Sequence, residues 1–74
     1  MKRFYCSTNI RDKGIAIDIY TIYKLEETEM GNTVIWHCFK GKHEYDIVKE
    51  KITAVMYKLE KLYKLSKEDK IWNF

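Results

Sequence analysis

The chain has 74 residues, 46% of them hydrophobic and 34% charged, with a net charge of +3. That length leaves room for one domain, residues 1–74, without a linker, and the apolar share is too high for a disordered chain. No apolar run approaches the roughly 20 residues of a membrane span, and the charged N-terminus lacks the apolar stretch of a secretory signal; the chain therefore reads as a complete cytoplasmic protein.

Residues 2–8 alternate as a strand, with Phe4 and Cys6 on one side and Arg3, Tyr5 and Ser7 on the other. Residues 9–14 form a connection, and Gly14 suits the left-handed conformation that closes such a loop. Residues 15–26 then read as one long strand. Ile15, Ile17, Ile19, Thr21, Tyr23 and Leu25 make a core face, and Ala16, Asp18, Tyr20, Ile22, Lys24 and Glu26 make a mixed one. After a polar turn at 27–32, residues 33–40 form a third strand. It is apolar on both sides: Val34, Trp36 and Cys38 against Ile35, His37 and Phe39. Gly41 ends it.

Residues 44–65 are predicted to be helical. Tyr45, Val48, Ile52, Val55, Leu59 and Leu62 step by three and four, and Met56 and Tyr63 widen the stripe. Glu44 and Asp46 fall in the first turn and Lys61 and Lys64 in the last, as the helix dipole favours; Glu60 and Lys64 are spaced to pair. The run Ser66-Lys67-Glu68-Asp69 resembles a capping box and starts a final turn carrying Ile71, Trp72 and Phe74. The expected fold is α+β: a three-stranded antiparallel meander followed by one long amphipathic C-terminal helix that covers one sheet face.

Few residues point to chemistry. Cys6 and Cys38 read as buried free thiols, since small secreted domains carry more disulfides. Cys6, His37, Cys38 and His43 are the metal-ligand candidates, but the close pairs of zinc sites are missing. His37 and Cys38 are adjacent on a strand and point to opposite faces. Cys38 with His43, or Cys6 with His37, has the residue types of a nucleophile and its base without a local signature. Asp18 reads as the solvent side of an alternating strand, and no glycine-rich phosphate loop is present. The expectation is a non-enzymatic protein that uses no metal or cofactor.

Binding is the better reading. Aromatic residues make up 15% of the chain, and one helix can cover only one face of a three-stranded sheet. On the alternation above, Tyr5, Tyr20, Ile22, Ile35, His37 and Phe39 share the open face, with Trp72 from the C-terminal residues beside it or folded over it. Tyr and Trp are the types enriched in binding hot spots. The helix also carries a lesser stripe of Ile47, Ala54 and Leu65 away from its core face, and its outer surface around Ile47, Tyr57 and Leu65 is the fallback. The expected activity is protein–protein interaction, with another protein or as a homodimer, and no membrane contact. The small size and the Lys-, Ile- and Tyr-rich usage of an AT-rich genome suit a phage or mobile-element inhibitor of a host or defence complex. The alternative is a nucleic-acid-binding regulator that uses the same face with Arg3, Arg11, Lys13, Lys24, Lys40 and Lys42.

Overall fold

The computed structural model describes residues 3–65. The fold is α+β: a three-stranded antiparallel sheet, an additional β-hairpin and one C-terminal helix. The hairpin pairs β1 (Phe4–Thr8) with β2 (Gly14–Asp18). A single 3-10 turn, Ile19–Thr21, leads into the sheet, whose strands β3 (Ile22–Glu27), β4 (Thr33–Phe39) and β5 (Lys42–Val48) lie in chain order. Helix α1 (Ile52–Leu65) follows. No helix among the described residues is long and apolar enough to cross a membrane.

The strand expected over residues 15–26 is broken in two, and Asp18 is the cause. Its side chain accepts from the Tyr20 backbone N–H at 3.0 Å, and the Thr21 hydroxyl donates to the Asp18 carbonyl at 2.7 Å. These local bonds offer the backbone an alternative to the ladder, so the chain turns there. A bulge between Ile22 and Lys24 follows. Together they reset the alternation: Ile17 and Ile19 are buried as expected, but so is Ile22, while Tyr23 is exposed.

The larger correction concerns residues 42–48, which form a strand, whereas the helix is expected to begin at residue 44. Phe39 pairs with Lys42 across a two-residue turn in which Lys40 and Gly41 have φ of 51° and 80°. Two positive φ values are the signature of the turn that matches the twist of a tight hairpin. Tyr45, Ile47 and Val48 are strand-favouring types that also fit a helical stripe. Once they enter the sheet, Glu44 and Asp46 no longer sit in a helical first turn; α1 has no acid there, and it keeps Lys64 in its last turn, 3.9 Å from Glu60. In the β1–β2 connection the left-handed residue is Asp12, with φ of 64°, rather than Gly14. The Asn9 side chain accepts from the N–H groups of Arg11 and Lys13 and holds that loop.

The core gathers Tyr5 and Ile17 from the hairpin, Ile19 from the 3-10 turn, Ile22, Ile35 and Val48 from the sheet, and Val55, Leu59 and Tyr63 from α1. Ile15, Leu25 and Leu62 pack against it. Its polar members have partners. The Tyr63 hydroxyl donates to the Ile19 carbonyl at 2.8 Å, the buried Thr33 hydroxyl to the Glu50 carbonyl at 2.8 Å, and the Tyr5 hydroxyl to the Glu50 carboxylate. Glu50 also accepts from Ser7 and pairs with Lys58, so one carboxylate ties the hairpin to the helix. His37 faces inward and pairs with Asp46 at 2.9 Å.

Candidate functional site

The hairpin and helix cover the inner face of β3–β4–β5. Its outer face has no layer over it among the described residues. The antiparallel register places the residues of that face in three rows across the strands. Glu26, Val34 and Ile47 form one row, and Lys24, Trp36 and Tyr45 the next. Near the β4–β5 turn Cys38 lies opposite His43, and the bulge residue Tyr23 reaches over from β3.

The rows are internally fixed. The Trp36 and Tyr45 rings lie 4.9 Å apart, and the Trp36 indole N–H donates to Glu26 Oε1 at 2.8 Å. That bond, and then the Lys24 ammonium, hold the Glu26 carboxyl below its ordinary range. Lys24 and Glu26 pair at 3.4 Å, so the two charged side chains of these rows cancel. Tyr23 meets His43 edge to face at 5.4 Å, with its hydroxyl 3.0 Å from Nδ1. The same Nδ1 stands 3.6 Å from Cys38 Sγ. Tyr23 and Tyr45 are each more than half exposed, at 51% and 55%. At its far end the face continues into a cleft of about 310 Å³ lined by Asn9, Ile10, Arg11, Tyr45, Asp46 and Ile47.

Most of the residues expected on the open face point the other way. Tyr5, Ile22, Ile35 and His37 are buried inside this chain. A strand apolar on both sides shows two faces but not which one meets the helix. The Glu50 carboxylate and the Asp46 partner make it possible to bury the side that carries the Tyr5 hydroxyl and His37. Tyr20 is exposed but belongs to the 3-10 turn, where its ring lies 6.0 Å from that of Tyr63. Phe39 is exposed at the β4–β5 turn with the Lys40 ammonium over its ring. Trp72 lies outside the described residues. Ile47 belongs to β5, which dissolves the expected helical stripe with Ala54 and Leu65. Tyr45 and Ile47 escape the sequence reading because 44–65 reads as helix, and Val34, Trp36 and Cys38 escape it because they read as the side that meets that helix. Their signal was the Lys-Gly turn between two alternating apolar runs.

The expected basic set is dispersed. Lys40 and Lys42 sit at the β4–β5 turn, with Lys24 paired to Glu26. Arg11 and Lys13 lie in the β1–β2 loop at the opposite end of β5, where Ile10 N–H donates to Ile47 O. Arg3 reaches the Leu65 carbonyl at the end of the helix. Both cysteines are free, but Cys6 is exposed rather than buried and lies on the hairpin, away from His37. Only the Cys38–His43 pairing is brought together. A second apolar surface, a groove of about 620 Å³, runs between Leu25 and the helix residues Ile52, Met56 and Tyr57. Comparison with protein-family models, curated proteins and solved structures finds no match to this chain.

Proposed function

We propose that this chain is a non-enzymatic binding protein that acts by protein–protein contact through the outer face of β3–β4–β5. The observation that supports this most is the Lys24–Trp36–Tyr45 row: two aromatic rings in tilted contact, Tyr45 more than half exposed and Trp36 partly so, with Lys24 neutralised by Glu26. Amphipathic rings held in one geometry contribute contact area with little entropy lost on binding, which is why they dominate interface hot spots. Val34 and Ile47 extend the row as an apolar patch, and such patches mark interaction sites more often than idle surface. The role of a phage or mobile-element inhibitor of a host or defence complex belongs to this reading and rests on size and residue usage alone.

The test is the double change Trp36→Ser with Tyr45→Ser. Both side chains are partly exposed, so the circular dichroism of the helix should be unchanged. Association, measured by light scattering on the free chain and by capture of its partner, should weaken by about 30-fold or more, the loss of a hot spot worth about 2 kcal/mol. Association should change little between low and high salt. Undiminished association in the folded variant would place the site elsewhere, first at the groove around Met56 and Tyr57. Tight binding of a single-stranded oligonucleotide that falls steeply with salt would instead favour the nucleic-acid reading, through Lys40 and Lys42.

A further inference from the structure

We propose that Cys38 and His43 from two copies of this chain hold one zinc-like divalent cation between their outer sheet faces. This rests on the outer face being a protein-binding surface, and it names the occupant as a second copy.

The geometry within one chain supplies half of such a site. Cys38 and His43 are direct cross-strand partners on the exposed face, and their Sγ and Nδ1 atoms stand 3.6 Å apart. Zinc binds cysteine sulfur at about 2.3 Å and histidine nitrogen at about 2.0–2.1 Å; at the tetrahedral angle those two ligands of one ion stand about 3.6 Å apart. The ligand atoms thus already have the spacing of one edge of the tetrahedron. Binding requires that Cys38 release its proton to solvent and that His43 coordinate as neutral imidazole through Nδ1, displacing the Tyr23 hydroxyl.

One chain provides two ligands, and among the described residues no group of three or more His, Cys, Asp or Glu side chains converges on one point. A tetrahedral ion needs four. A two-fold axis through the metal brings Cys38 and His43 of the second copy to the remaining positions and completes a Cys2His2 site. With that axis along the strands, the same operation lays each Trp36–Tyr45 row against the other copy's face, where the neutral Lys24–Glu26 pair offers no repulsion. The metal therefore adds an orientation to a face that is otherwise only adhesive.

The experiment titrates cobalt(II), and then zinc, into the reduced full chain carrying Cys6→Ser, which leaves Cys38 as its single thiol. The expected result is a thiolate-to-cobalt charge-transfer band that saturates at one metal per two chains. Sedimentation mass should double with the metal and revert with EDTA. Adding Cys38→Ser or His43→Ala should abolish the band and the doubling. Because a variant could lose structure, the Cys6→Ser chain itself gives a second reading. Zinc at about ten times its Kd should slow alkylation of Cys38 by about tenfold, by mass action. No thiolate–metal band, one metal per chain without doubling, or an unchanged alkylation rate would each overturn the proposal and show an ordinary thiol–imidazole contact or a weak two-ligand site. Association that persists in EDTA and is lost in the Trp36→Ser with Tyr45→Ser chain would leave the protein-binding face standing while the metal fails.

Discussion

Glu50 shows how one side chain can hold together elements that are distant in sequence. Burial works to raise its carboxyl pKa, but the hydrogen bonds from Lys58, Tyr5 and Ser7 outweigh burial and hold it below the ordinary value of 4.5. In return, burial and then the Glu50 bond push the Tyr5 phenol above its ordinary range. A group with a depressed folded pKa contributes stability that is fully present above its unfolded value and is lost as pH falls through the folded value. Acid titration of the native chain should therefore show stability declining below about pH 4.5. Glu50→Gln removes the charge that Lys58 and Tyr5 were paired to. It should cost about 1–3 kcal/mol at neutral pH and flatten that acid limb, as read by urea melts at several pH values. Equal melts for the two chains at pH 7 would mean that Glu50 does not tie the hairpin to the helix.

At the scale of elements, α1 and the β4–β5 turn carry separable predictions. Leu59 is 3% exposed in the core, whereas Met56, one turn away, is 52% exposed. Leu59→Ala should cost about 2–5 kcal/mol through transfer and cavity terms, and Met56→Ala far less. The reverse order in thermal melts would mean that the helix packs through another face. Gly41 has φ of 80° with nothing near a Cβ built on it, so Gly41→Ala should destabilise through backbone strain alone, by about 1–2 kcal/mol. Gly14→Ala, where neither strain nor a close neighbour is found, should be nearly neutral in the same melts.

These two elements also show what was legible in the sequence. The helical stripe through Val55, Leu59 and Tyr63 and the alternation of residues 33–39 follow from periodicity alone. Residues 42–48 did not, because Tyr45 and Val48 satisfy both a three-residue helical step and, with Ile47, a strand. Gly41 by itself reads as a stop, whereas it is half of a two-residue turn with Lys40. The break at Asp18 was present as Asp18 followed by Thr21, a local hydrogen-bonding pattern that alternation does not reveal. With the 3-10 turn and the bulge unseen, Tyr23 and Ile22 exchanged faces.

For the whole molecule, that exchange decides where binding is sought. Among the described residues, the inner side of the sheet is filled by Ile22, Ile35 and His37 under hairpin and helix, and the outer side leaves Tyr23 and Tyr45 exposed and Trp36 partly so. A three-stranded sheet with a single helix had to leave one face open, and this much could be read from the element count. Which face stays open could not, because it depends on buried partners: Asp46 for His37, which enters only once β5 is recognised as a strand, and Glu50 for Tyr5, which comes from a distant part of the chain. The central claim is that the outer face is the binding surface. It is tested most directly by recording the amide and indole N–H resonances of the labelled chain as its concentration, or that of a captured partner, is raised. The signals of Lys24, Trp36 (with its indole N–H), Cys38, His43 and Tyr45 should shift together, while those of Thr53, Met56 and Glu60 stay fixed. Shifts confined to Thr53, Met56 and Glu60, with the Trp36 indole unmoved, would contradict the account and assign binding to the helix groove.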